Sequence, residues 1–120
     1  RFDVGEPSNF GLLPGAVAAL EQVRDWGVAN IAETAGALTA RVVELATARG
    51  LGTVPAPYRA PHFASIRAPG GFPPDTAERL ARERVFASIR GGNILRVTPH
   101  VYNEEWEIDR LFAVLDAGGR

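Results

Sequence analysis

The 120-residue chain contains no cysteine and no methionine, and all 13 of its basic residues are arginine, so it has no lysine either. Without cysteine it has no disulfide, no thiolate nucleophile and no zinc–thiolate site. Without lysine it has no side-chain amine for a Schiff base. Because the sequence does not begin with the methionine of a translation start, we expect it to be a piece of a longer protein.

The charge and the hydropathy pattern argue against two kinds of partner, nucleic acids and membranes. The net charge is −1, and the basic residues are scattered, whereas phosphate binding needs a concentrated basic face, so we expect no nucleic-acid partner. No apolar run approaches the roughly 18 residues of a membrane span, and no signal-peptide pattern opens the chain. We therefore expect no membrane association and a cytoplasmic location. With only two histidines, we also expect no metal site.

Hydrophobic period and turn residues predict seven elements in the order α, α, β, α, β, β, α. The first helix begins near Pro14, and the second is capped by Asn30 and ends at Gly50. Two strands joined by a short helix follow, and a tight turn leads to a third strand antiparallel to the second. Glu104 starts the last helix. We expect one α+β domain over residues 1–120, with a small antiparallel or mixed three-stranded sheet and helices packed mainly on one face.

The pentapeptide Phe-Ala-Ser-Ile-Arg occurs twice, at residues 63–67 and 86–90. Each copy is typical of a strand. A solenoid needs at least about three units at a fixed period, and these two copies flank unlike segments. The pattern therefore favours two strands of similar sequence over a repeat architecture.

An arginine interrupts the apolar strand in the stretch NILRVTPHVYNEE. Alternation places Arg96 on one face with Ile94 and Thr98, opposite Leu95 and Val97. A guanidinium that leaves the sheet beside apolar neighbours needs an anion. That anion is either a bound ligand or a structural acid, and the acids nearest in sequence are Glu104, Glu105 and Asp109.

Two segments of the chain resemble a known family. RFDVGEPSNFGLLPGAVAALEQVRDWGVANIAE and SIRGGNILRVTPHVYNEEWEIDRLFAVL are similar to the C-terminal part of class V aminotransferase family enzymes, which use pyridoxal phosphate. This group includes cysteine desulfurases, selenocysteine lyases and kynureninases. The most specific part of the resemblance is the pattern formed by Arg96, Tyr102 and Asn103, followed by an acidic helix start and Asp109.

The resemblance implies that residues 1–120 are the C-terminal small domain of a fold-type I subunit. In this family the preceding large domain holds pyridoxal phosphate on a lysine, which fits the absence of lysine here, and the subunits form homodimers. The resemblance also implies that Arg96 binds the α-carboxylate of an amino-acid substrate. A planar fork of donors that is always charged suits a carboxylate.

Three further residues are site candidates. Many family members have Gly-Thr-Pro in the opening segment, and its threonine contacts the cofactor phosphate of the partner subunit. Here Glu6 takes that position, and a carboxylate beside a phosphate would be repelled. Ser8 and Asn9 are therefore the cofactor-binding candidates, and the alternative is that Gly5, Pro7 and Asn9 only shape an extended loop. His100 is a second substrate-binding candidate because it lies just past the strand of Arg96, from where a side chain can approach the substrate pocket, although a turn histidine bonded to the backbone is the commoner case.

The resemblance leaves the reaction open. Desulfurases of this family attack the substrate sulfur with a cysteine that lies on a loop upstream of this strand, and this chain has none. A kynureninase-like hydrolase, a carbon–sulfur lyase, an epimerase and a transaminase remain. We expect no catalytic residue in this chain and no activity from it alone. The alternative is a freestanding interaction module that kept the fold and lost the chemistry.

Overall fold

A computed structural model describes residues 10–118 of the chain. The helices and strands are α1 Leu13–Trp26, α2 Val28–Ala48, β1 Gly52–Thr53, β2 Ala64–Arg67, α3 Thr76–Arg82, β3 Ser88–Arg90, β4 Ile94–Val97 and α4 Glu105–Asp116. A short 3-10 turn, Ala56–Tyr58, lies between β1 and β2. Within this part of the chain, every helix is too short or too polar to cross a membrane.

The strands form one antiparallel sheet in the order β1-β2-β4-β3. Strand β4 lies between β2 and β3 and is antiparallel to both, so β2 and β3 run in the same direction and α3 connects them. The predicted α+β class and the antiparallel pairing of the last two strands are confirmed. The predicted number of three strands is wrong, because the two residues of β1 pair with Arg67 and Ile66 of β2.

The core lies between one face of this sheet and helices α2, α3 and α4. Leu95 and Val97 of β4 and Ile66 of β2 point into it, whereas Arg96 is exposed on the other face, as the alternation predicts. The buried cluster is formed by Leu38, Val42, Ala46, Ala64, Ile66, Leu80, Leu95, Val97, Ile108, Leu111, Phe112 and Val114. The prediction of helices mainly on one face is confirmed, and the second face of the sheet is left open by residues 10–118.

The boundary between α1 and α2 is a single residue. Gly27 has a φ of 80°, a value that favours glycine, and it caps both helices. The prediction of Asn30 as the cap of α2 is therefore wrong: α2 begins at Val28, and the Asn30 side chain donates a hydrogen bond to the Trp26 carbonyl at 2.9 Å. The prediction for the start of α1 is confirmed, since Pro14 lies in its first turn.

Helix α4 begins with a capping box. The Glu104 side chain accepts from the backbone of Glu107, and the Glu107 side chain accepts from the Glu104 backbone N–H at 2.8 Å. These bonds satisfy donors that the first turn of a helix leaves without a partner. The predicted start of this helix at Glu104 is confirmed.

Helix α1 has an apolar stripe that nothing in residues 10–118 covers. None of its 14 residues is buried. The exposed large side chains along and beside it are Phe10, Leu12, Leu13, Val17, Leu20, Val23, Trp26 and Val28. The longest dimension of the molecule, 54 Å against 28 and 27 Å for the other two, fits a helix that extends from the core.

Candidate functional site

The two copies of the repeated pentapeptide flank β4 at the same register. Ser65 and Ser88 both lie opposite Arg96, and Arg67 and Arg90 both lie opposite Ile94. The copies therefore place the same residue types on either side of β4. The open face of the sheet has a row with a guanidinium between two serines, and a second row with two arginines around an isoleucine.

Arg96 lies near the middle of this open face. Its guanidinium carbon is 5.2 Å from the centre of the Phe63 ring, a distance at which a cation is attracted to an aromatic face. It lines an open cleft of about 490 Å³ together with Ser88, Thr98 and Phe86. An apolar wall on one side of the cation and hydroxyl groups beside it leave the charged donors free for a ligand.

The three acids named above as possible partners of Arg96 are engaged elsewhere in residues 10–118. Asp109 accepts from Arg41 at 2.9 Å, and Glu105 lies 3.6 Å from the same arginine. Glu104 accepts from the indole N–H of Trp106 at 3.1 Å. Within residues 10–118, no acid lies within ion-pair distance of Arg96, so the structural-acid alternative has no support there.

His100 lies in a different environment from Arg96. Its ring stacks on Tyr102, with centres 5.1 Å apart, and lies 6.5 Å from the ring of Trp26. Its Nδ1 atom is buried and has no hydrogen-bond partner among the residues that the structure describes. The structure thus places this candidate in an aromatic cluster between α1 and the turn after β4, and its ring contacts and hydrogen bonds within residues 10–118 do not involve Arg96.

Asn103 holds the turn that carries His100. Its side-chain oxygen accepts from the backbone N–H of His100 at 2.9 Å, and its own backbone N–H donates to the His100 carbonyl at 2.9 Å. Its amide group also donates to Glu107 at 3.1 Å. The asparagine of the sequence pattern therefore links the end of β4 to the start of α4.

The two cofactor candidates, Ser8 and Asn9, lie outside the described residues. Sequence reasoning did not identify Ser65, Ser88, Arg67 and Arg90 as neighbours of Arg96. The repeated pentapeptide was the signal for them, but alternation along one strand does not reveal which strand lies beside which. Only the strand order places both copies next to β4.

Comparison with solved structures identifies the fold. A NifS-like protein superposes with a TM-score of 0.78 at 17% identity, over 94% of this chain and 34% of that one. A cysteine desulfurase from Thermococcus onnurineus NA1 gives 0.79 at 21% identity, over 99% and 33%. An alanine–glyoxylate aminotransferase from Nostoc sp. gives 0.72 at 21% identity, over 98% and 33%.

The chain has the class V aminotransferase fold. It spans about a third of the length of the three chains that it matches. No family model matches the sequence, and no curated protein matches it. At these identities the likeness establishes the fold and nothing finer.

Proposed function

We propose that this chain is the substrate-carboxylate-binding small domain of a pyridoxal-phosphate-dependent enzyme that acts on an amino acid. The observation that supports the proposal is that Arg96 lies without an acid partner in residues 10–118, on the open face of a class V aminotransferase fold. The rest of the enzyme, a large domain preceding this chain, would cover that face. The enzyme would work as a homodimer.

The residues of the chain fit the substrate but not the covalent link to the cofactor. The sequence has no lysine, so the linkage to pyridoxal phosphate has to come from outside these 120 residues. When bound, the cofactor supplies the electron sink for cleavage of a bond at the substrate Cα. The chain itself supplies a cation for the carboxylate.

Arg96 would act by binding and orienting. Its fork of donors can take both oxygens of a carboxylate, which fixes the direction in which the remaining substrate bonds point. The Phe63 ring limits the positions open to the guanidinium, and the serines on either side of it are too short to fill the cleft. Four reactions fit a bound amino acid: a kynureninase-like hydrolysis, carbon–sulfur lysis, epimerisation and transamination. The absence of cysteine disfavours desulfuration.

The proposal is tested by titrating amino acids into the full polypeptide that contains this chain, as wild type, Arg96→Lys and Arg96→Ala. The lysine variant keeps the charge but loses the fork, and the alanine variant loses both, so affinity should fall in that order. A charge-assisted hydrogen bond contributes about 1.5–3 kcal/mol, and the alanine variant should lose roughly tenfold to a hundredfold in affinity.

Arg82→Ala is the matched control, because Arg82 lies on α3 and pairs with Glu78 at 3.4 Å rather than facing the open side of the sheet. Affinity for pyridoxal phosphate should stay the same in all variants. If Arg96→Ala binds amino acids like the wild type but unfolds at a lower temperature, the guanidinium is a structural partner. If the wild-type polypeptide binds neither amino acids nor cofactor, the freestanding interaction module is the better description.

A further inference from the structure

Most arginines between residues 10 and 118 already have partners. Six of them lie within ion-pair distance of an acid, and these are Arg24, Arg41, Arg49, Arg79, Arg82 and Arg110. Arg59 donates two hydrogen bonds to the Val54 carbonyl. The side chains that make no hydrogen bond or ion pair with this part of the chain are those of Arg67, Arg84, Arg90 and Arg96.

Three of those four arginines lie on the open face of the sheet. Arg67 on β2 and Arg90 on β3 both lie opposite Ile94, which is two residues before Arg96 on β4. Strand spacing places their Cα atoms about 8 Å from that of Arg96. Because an arginine side chain is nearly as long as this separation, two of these guanidiniums can reach one small ligand.

The residues between the three guanidiniums are small or apolar. Ser65, Ser88 and Ile94 lie between them on the same face. Gly52, which has no side chain, lies opposite Arg67 on the outer strand. The sheet thus leaves space above the arginines and offers hydroxyl groups as further donors.

Acids are absent from the strands of this sheet. Every Asp and Glu between residues 10 and 118 lies on one of the four helices or at a helix cap. Three cations on one face without a counter-ion repel each other. One carboxylate neutralises only one of them, so a ligand that matches this face carries more than one negative charge.

We propose that the enzyme selects amino acids with an anionic side chain, and that Arg67 and Arg90 bind that second anion. This inference rests on the proposed function, in which Arg96 takes the α-carboxylate. The side-chain carboxylate or phosphate then lies over Ile94, between the two copies of the repeated pentapeptide, where the arginines of both copies and the hydroxyls of Ser65 and Ser88 can donate to it.

The test compares matched pairs of amino acids by titration calorimetry with the full polypeptide. The probes are L-glutamate against L-glutamine, and O-phospho-L-serine against L-serine. Wild type should bind the anionic member of at least one pair about tenfold more tightly, and the pair that shows the preference distinguishes a carboxylate from a phosphate. Added salt should reduce the preference.

Arg67→Gln and Arg90→Gln should each reduce this preference by about threefold, and the double variant should abolish it. Arg96→Gln should instead weaken both members of a pair alike, and the control Arg82→Gln should change neither. The proposal is overturned if wild type shows no preference, if it binds none of the four probes, or if the preference survives in the double variant.

Two further results separate this inference from its alternatives. If the double variant lowers the unfolding temperature and leaves the preference intact, acids from the rest of the polypeptide occupy this face, and the proposal fails. If Arg96→Gln has no effect on any probe while the double variant abolishes the preference, the proposed role of Arg96 fails and that of the other two arginines survives.

Discussion

Arg49 joins the C-terminal ends of α2 and α4 through one carboxylate. Its Nε atom donates to Asp116 Oδ1 at 2.8 Å and its Nη2 atom donates to Oδ2 at 2.7 Å, so the pair is bidentate. The guanidinium also lies 4.9 Å from the centre of the buried Phe112 ring. The hydrogen bonds from Arg49 lower the pKa of Asp116 below its ordinary value.

The pH dependence of stability follows from the sign of this shift. Because the pKa of Asp116 is lower in the folded state, the pair stabilises the protein above the pKa of an unfolded aspartate, and the stabilisation is lost as pH falls below about 4. Asp116→Asn should lower the unfolding free energy at pH 7 by about 1 kcal/mol or less, and it should lower it by less near pH 2 than at pH 7. Urea unfolding at both pH values measures this.

The control for that experiment is Asp25→Asn. Asp25 pairs with its neighbour Arg24 at 3.4 Å, and both side chains are mostly exposed. Its replacement should change stability little at either pH. Equal losses for the two variants at pH 7 would show that the Arg49–Asp116 pair contributes no more than an ordinary surface contact.

At the level of elements, a buried hydroxyl attaches the proline-rich connection to the core. Thr39 of α2 is 2% exposed, and its Oγ1 atom donates to the Pro61 carbonyl at 2.7 Å, just before β2. This bond fixes the approach to the strand that carries Ser65 and Arg67. One side chain of α2, a helix on the core side of the sheet, therefore helps to hold the segment that leads into β2.

Thr39→Val keeps the volume of the side chain and removes this donor. The Pro61 carbonyl would lose its partner, so we expect the free energy of unfolding to fall by about 1–3 kcal/mol. Thr34→Val, on an exposed position of the same helix, controls for the change in helix propensity. A fall of the same size in both variants would mean that the hydrogen bond contributes nothing.

The sequence alone was sufficient for elements that have a period or a cap. The alternation around Arg96 predicted its face of the sheet, and Glu104 predicted the start of α4. Strand β1 has only two residues, so it has no period to detect. The predicted start of α2 was wrong because Asn30 is a plausible cap in the sequence. The boundary lies three residues earlier, at Gly27, whose positive φ separates the two helices.

The residues of the candidate site were harder to predict than the elements. Arg96 could be singled out because a charge in an apolar strand is unusual. Arg67 and Arg90 could not, because each lies at the end of a short strand where a charged residue is common. They lie near each other because β4 lies between β2 and β3, and the pattern of a single strand does not reveal that order.

At the scale of the whole molecule, α1 is the helix that the other described residues cover least. Leu20 in its apolar stripe is 70% exposed, and no residue of the helix is buried. Monomeric proteins rarely expose contiguous apolar surface of this kind. In the proposed enzyme, the large domain or the partner subunit would cover it.

The 120-residue chain on its own should therefore self-associate through α1. Leu20→Glu should shift it toward a monomer, whereas Ala18→Glu, which adds the same charge on another side of the helix, should not. Sedimentation velocity over a range of concentrations measures the difference. A wild-type chain that stays monomeric throughout would show that this stripe is not an association surface and would favour the freestanding module.

The repeated pentapeptide also has a consequence for the order of folding. Because both copies present the same residues to β4, they are degenerate pairing partners, and side chains alone do not decide which copy takes which edge. The connections between the strands decide this. The turn of Gly91, Gly92 and Asn93 closes the β3–β4 hairpin locally, on a scale of about 1–10 μs. Pairing of β2 with β4 has to close a much longer loop. We therefore expect the hairpin to occupy one edge of β4 first and β2 to pair with the edge that remains.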